Sequence, residues 1–135
     1  MSRRIEIVVV GAHLSGFPLN HQLTGAGGHL ERSVRTAPCY KLYALAGGEV
    51  ARPGLLRVAS GAGARIETEV WSLDPAAFGL FVALVAAPLS IGTVFLEDGS
   101  SPKGFLVEPE GLAGAEDISH LGGWRAYRAA ARSAS

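Results

Sequence analysis

The chain has 135 residues, of which 48% are hydrophobic and 18% charged, with 12 basic side chains balanced by 12 acidic ones. That length points to one domain able to bury roughly 70% of the surface its unfolded chain would expose. The zero formal charge excludes the electrostatic signature of a nucleic-acid binder or of a protein held on an anionic membrane surface.

The N-terminal Met1-Ser2-Arg3-Arg4 is basic, but Glu6, His13 and Pro18 interrupt the apolar stretch behind it and make it a poor secretory signal. Residues 5–10 are nearly all apolar and predict a central strand with no wet face. A loop comes next, Gly11-Ala12-His13-Leu14-Ser15-Gly16, in which small residues expose backbone amides beside an imidazole, a combination suited to an anion or a carbonyl group. A helical turn is expected over residues 18–23, ended by Gly25-Ala26-Gly27-Gly28. Strands at 29–36 and 40–46 are separated by Ala37-Pro38, where proline forbids a continuous ladder. Residues 47–54 read as loop, 55–58 as a short strand and 60–63 as a turn.

Residues 65–73 alternate enough to predict a strand with one polar side. Asp74-Pro75 then supplies a cap and a first-turn proline for a helix whose buried stripe would be Phe78, Phe81, Val82 and Val85. Residues 75–96 carry no charged side chain and approach the length of a membrane span. Pro88, Ser90, Gly92 and Thr93 divide that stretch, so a buried helix leading into a buried strand is expected, with no membrane association. Residues 93–97 and 103–108 predict a hairpin across Asp98-Gly99-Ser100-Ser101-Pro102. A C-terminal helix begins in Gly122-Gly123-Trp124-Arg125-Ala126-Tyr127-Arg128, with Trp124 and Tyr127 on one face, and Ser133-Ala134-Ser135 should fray. The lone Cys39 excludes an internal disulfide, and no Cys/His spacing makes a zinc motif, which leads to the expectation of a cytoplasmic protein without metal or cofactor. Many short strands and few helices place the chain in the α+β class, as a mixed, partly closed sheet or small barrel with helices outside.

Several stretches resemble the C-terminal domain of allophanate hydrolase and keep its order along nearly the whole chain. They are Gly11-Ala12-His13-Leu14-Ser15-Gly16, Pro18-Leu19-Asn20, Arg35-Thr36-Ala37-Pro38, Tyr40-Lys41-Leu42-Tyr43, Glu69-Val70-Trp71, Pro88-Leu89-Ser90-Ile91-Gly92-Thr93-Val94, Lys103-Gly104-Phe105-Leu106 and Gly122-Gly123-Trp124-Arg125-Ala126-Tyr127. The resemblance implies a γ-glutamylcyclotransferase-like fold, a mixed β-barrel with flanking short helices, in which residues 11–14 take the place of the substrate-holding amide loop. Asn20-His21 and Pro53-Gly54 resemble later pieces of the same scaffold. Cyclotransferases carry a catalytic glutamate where this chain has Val85-Ala86-Ala87-Pro88, so cyclotransferase chemistry is not expected. Nothing resembles the Ser-Ser-Lys amidase domain of the full-length enzyme, and Ser100-Ser101-Pro102-Lys103 lacks its surroundings. This chain is therefore not expected to hydrolyse allophanate alone.

The resemblance implies decarboxylation of N-carboxyurea or a similar ureido acid, with a separate amidase as a partner and a homodimer as the working form. Loss of CO2 needs a proton delivered to the departing nitrogen, and His13 is the candidate acid. The N–H groups of Gly11, Ala12 and Leu14 are candidate substrate donors, with Asn20, Arg35, Tyr40, Pro53 and Gly54 as further binding residues. For His13 the alternative is a ring packed beneath its loop, and for Asn20 a cap on the turn it begins. Tyr40 and Tyr43 fall on opposite strand faces, and Tyr40 is assigned to the site. Arg35 can hold a planar carboxylate at two points, whereas Lys103 reads as a solvated strand charge. Glu67 and Glu69 share a strand face, where they either tune each other or form a rim salt bridge. His21 has at most a secondary role, and His29 and His120 read as surface groups. Cys39 reads as a buried thiol, and Trp71 and Trp124 as packing anchors. The alternative function is a non-catalytic module of the same fold that binds a small anion or aids assembly beside an amidase.

Overall fold

The apolar start of the chain forms β1 (Ile5–Val9) at the middle of a five-stranded sheet, in a computed structural model that describes residues 3–134. Met1 and Ser2 of the basic start, and Ser135 of the tail, lie outside the described residues. The other strands of this sheet are β2 (His29–Arg35), β5 (Glu67–Leu73), β6 (Leu89–Thr93) and β7 (Lys103–Val107), in the order β2-β5-β1-β7-β6. Ile7, Val8 and Val9 are fully buried, as expected for a strand covered on both faces. In this sheet the β1–β7 pairing is parallel, and β1–β5, β2–β5 and β6–β7 are antiparallel.

A second sheet joins β4 (Pro53–Arg57), β3 (Tyr40–Ala44) and β8 (Glu116–Asp117), in the order β4-β3-β8. The architecture is the expected α+β one, carried among the described residues by two sheets and no closed barrel. The sheets meet where β4 packs on β7. Gly54 permits that approach, since a Cβ there would lie 2.7 Å from the Val107 Cβ. Pro53 and Gly54 thus belong to a strand, not to the predicted loop. β4 is an edge strand, where the missing proline N–H costs no ladder bond.

Three further expectations are corrected. β5 has no exposed polar side, because it is paired on both edges by β2 and β1, and Thr68, Glu69 and Ser72 are all buried. Their polar atoms are satisfied inside the fold. Thr68 Oγ1 donates to the Val34 carbonyl at 2.7 Å, and Ser72 Oγ donates to Glu31 at 2.6 Å and accepts from Arg4 Nε at 2.8 Å.

The hairpin pairs residues 89–93, not 93–97, with β7, in the register Thr93 opposite Lys103. Val94 and Leu96 instead turn into the core, and Leu96 bridges to Thr36 beyond the end of β2. The third correction concerns α2 (Pro75–Ala83). Asp74 caps it as predicted, accepting from the Ala77 N–H at 2.9 Å, but of the expected stripe only Phe81 is buried. Leu80 and Leu84 are 73% and 65% exposed, because apolar residues encircle the helix while a single face meets the sheet. β6 is a half-buried edge strand. No helix among the described residues is long and apolar enough to cross a membrane.

The short α1 (His21–Thr24) ends at Gly25, as predicted. The C-terminal helix α3 (Trp124–Ala134) follows Gly122, whose φ of 83° suits glycine. Trp124 and Tyr127 stack at 5.2 Å between ring centroids. Ser133, expected to fray, remains helical.

Candidate functional site

β1 runs straight into the Gly11-to-Ser15 loop, and the loop's carbonyls are taken up locally. The Leu14 N–H closes a turn onto the Gly11 carbonyl at 2.9 Å, and the Leu19 N–H reaches the Ala12 carbonyl at 2.8 Å. Asn20 Nδ2 donates to the His13 carbonyl at 2.9 Å. Asn20 is therefore neither a ligand-facing amide nor a side-chain cap of α1, which has no such bond. It is a brace behind the loop.

The N–H groups of Gly11, Ala12 and His13 donate to nothing among the described residues, although Gly11 and Ala12 are buried. Buried donors left unpaired are uncommon, and where they line a cavity a ligand acceptor is their natural partner. Leu14 is different. Its amide is consumed by the turn and its side chain, 1% exposed, belongs to the core.

Ala12 and His13 border a cleft of about 340 Å³ that also includes Leu19, Gln22, Glu49, Arg52, Phe81, Val85 and Leu89. A recess lined by Gly11, Ala12, His13, Arg52, Pro53 and Phe105 continues it. Pro53 seals the recess against Gly11, whose place admits no side chain because a Cβ would overlap the proline ring.

His13 stands between two phenylalanines, stacked on Phe105 with 5.1 Å between centroids and 19° between planes, and edge-on to Phe81 at 5.1 Å. Its Nε2 is 2.7 Å from Gln22 Oε1, so Nε2 carries the proton and donates. Nδ1 has no partner among the described residues, and no unsatisfied buried side-chain nitrogen exists among them, so Nδ1 opens to the cleft or solvent. Burial lowers the His13 pKa below the ordinary histidine value; the Gln22 hydrogen bond acts in the opposite sense, and His21 adds a smaller lowering. At neutral pH the ring is mainly neutral, with its lone pair on Nδ1.

The remaining predicted residues separate. Gly54 packs on Val107 and does not line the cleft. Arg35 lies on the far edge of the sheet with its guanidinium on Glu97 at 3.2 Å and its side chain 59% exposed. Tyr40 is fully buried, and its hydroxyl accepts from the Phe95 N–H at 2.9 Å, so it serves as a core brace away from the cleft. Lys103 reaches Thr93 Oγ1 at 3.2 Å on the surface.

The cation that does line the cleft is Arg52, absent from the residues expected in the site although it adjoins Pro53-Gly54. Among the described residues Arg52 makes no ion pair. Gln22 was also not expected, since its role depends on α1 folding back over His13. Among the described residues no His, Cys, Asp and Glu side chains group to hold a metal ion.

A family model described as the allophanate hydrolase C-terminal domain matches residues 5–129. Urea amidolyase of Saccharomyces cerevisiae is 43% identical over 129 residues, which are 93% of this chain but 7% of that protein. Allophanate hydrolase of Kluyveromyces lactis superposes with a TM-score of 0.89 at 43% identity, over 93% of this chain and 21% of that one. A uropathogenic E. coli-specific protein superposes with a TM-score of 0.85 at 32% identity, over 94% of this chain and 97% of that chain. A mouse AIG2-like protein at 19% identity, with a TM-score of 0.60 over 82% of this chain, extends the fold alone. The chain belongs to the allophanate hydrolase C-terminal domain family.

Proposed function

We propose that this chain decarboxylates N-carboxyurea, or a closely similar ureido acid, within urea degradation, on material released by a separate amidase. The observation that carries this reading is a cleft-lining imidazole whose Nδ1 is unpaired, beside three unpaired backbone N–H groups. The names of the relatives support the pathway.

In the reaction the N-carboxyurea anion takes up a proton and yields urea and CO2. The C–N bond to the carboxylate breaks, its electron pair stays on nitrogen, and the proton satisfies that pair. Negative charge therefore leaves the carboxylate and collects on the ureido group. A site that held the carboxylate more tightly than the transition state would slow the step.

The productive orientation sets the ureido oxygen on the amides of Gly11, Ala12 and His13, where charge accumulates. The carboxylate then faces the apolar wall of Phe81, Val85 and Leu89, into which neutral CO2 departs. Protonated His13 delivers the proton from Nδ1, while Gln22 holds Nε2–H and fixes the ring's orientation. A lowered pKa makes the imidazolium scarcer at neutral pH and a stronger acid when formed. Arg52 attracts the anion to the cleft.

The test generates carbon-13 labelled N-carboxyurea with a separate amidase and follows its carboxyl signal by NMR with and without this protein. Faster decay that disappears in His13→Ala, with the variant still folded, is the expected result. Decay unchanged by the wild-type protein refutes the reading.

A further inference from the structure

Ser15 follows His13 by two residues, and each of its polar groups is gripped from a distant part of the chain. Its N–H and Oγ donate to Glu69 Oε1 at 2.9 and 3.0 Å. Its carbonyl accepts from Arg125 Nη2 at 2.7 Å. Glu69, on the central β5, is 5% exposed; its Oε1 also accepts from Trp71 Nε1 at 3.0 Å, and its Oε2 lies 3.5 Å from Arg125 Nη2. Arg125, on α3, extends its Nη1 to Glu67 Oε1 at 3.2 Å and lies over the Phe17 ring at 5.4 Å.

Three of the stretches that carry the family resemblance, around Gly11, Glu69 and Arg125, thus meet at one serine. Burying the Glu69 carboxylate against a guanidinium adds little stability by itself, since apolar groups of similar volume often do as well. What the ion pair supplies is direction. A serine held at N–H, hydroxyl and carbonyl fixes the far end of the loop, while Leu19 and Asn20 brace its middle at Ala12 and His13.

We infer that Glu69 and Arg125 are positioning residues for the reaction: they form a strut from β5 and α3 that sets the Gly11, Ala12 and His13 amides and the imidazole in their reactive geometry. Neither residue lines the His13 cleft, so neither is assigned contact with substrate. The inference rests on the decarboxylation reading for its kinetic consequence but not for its structural one. The C-terminal helix therefore contributes to the site through Ser15.

The test compares Glu69→Gln, Arg125→Lys and Arg125→Ala with wild type in two measurements. The first is the kinetics of N-carboxyurea decay. Loop displacement of about 1 Å can cost roughly 100-fold in rate, so a fall in kcat of about 10- to 100-fold with a much smaller change in KM is expected for Glu69→Gln and Arg125→Ala. Arg125→Lys, which keeps the charge, should recover part of that loss. The second is amide NMR. Hydrogen exchange at Ser15 should accelerate, and the resonances of Gly11, Ala12 and His13 should shift or broaden, while exchange in β1 and β7 stays at wild-type rates.

Folded variants with wild-type kcat and unchanged residues 11–15 overturn the inference. If Glu69→Gln does not fold, the two Arg125 variants decide. If the wild-type protein itself does not accelerate decay, the proposed function fails, and the NMR measurement still decides whether the strut orders the loop.

Discussion

Acidifying the protein through the histidine range should weaken the fold and strengthen the chemistry, both through His13. Burial among Phe81, Phe105 and the Gly11 loop lowers its pKa in the folded state, whereas the unfolded chain restores the ordinary value near 6.5. Between those two values the unfolded state binds more protons than the folded one, so stability falls as pH falls. One differential proton amounts to about 1.4 kcal/mol per pH unit at most, and the loss ends below the lowered folded pKa. Above the unfolded value the contribution is fully present. The assay is urea unfolding from pH 8 to pH 5 for wild type and His13→Phe, with the difference between them plotted against pH. Catalysis should move the other way, since the protonated ring is the donor. After subtraction of the uncatalysed decay, kcat should rise as pH falls toward the His13 pKa and level off below it. A stability difference independent of pH would refute the burial argument. A kcat that rises with pH would refute the donor role.

The remaining predictions address single contacts. Gln22→Leu removes the acceptor that favours the imidazolium, so the His13 midpoint, followed by NMR of the ring nitrogens, should move further down, and the 2.7 Å bond should no longer select the Nε2–H tautomer. Arg52→Ala should raise KM for N-carboxyurea a few-fold, by an amount that shrinks as salt is added, whereas Arg35→Ala, which loses only an exposed pair with Glu97, should leave kcat/KM unchanged. Gly54→Ala places a methyl 2.7 Å from the Val107 Cβ and 3.0 Å from Leu45 Cδ2, and overpacking of that kind should cost about 1–3 kcal/mol in urea unfolding.

Periodicity and punctuation were enough for most of the elements. The apolar β1, the glycine-terminated α1, the Asp74-Pro75 start of α2 and the Trp124–Tyr127 face of α3 are dictated by local chemistry, and each stands where the residues predict it. The loop after β1 was equally legible, because glycine, a small residue and histidine at a strand end leave few other uses for backbone donors. Which donors remain free was not. Leu14 loses its amide to a turn, and no pattern in the sequence announces an i to i+3 bond inside so short a loop.

What the tertiary structure alone decided is the company each side chain keeps. Arg35 and Tyr40 looked suitable by residue type, yet strand order carries Arg35 to an edge beside Glu97 and turns Tyr40 inward to the Phe95 N–H. Arg52 and Gln22 enter the site because β4 packs on β7 and α1 folds back over His13, contacts between segments distant along the chain or turned back upon it. Glu69 reads as one of two alternating strand carboxylates, and only the insertion of β5 between β2 and β1 makes it the buried anchor of Ser15. The sequence by itself determined most of the elements, the α+β class and the loop that bears His13, because these depend on neighbours a few residues away. Sheet order and packing decided which charges stay in water and which converge, because the energy of a charge depends on the groups that surround it in space.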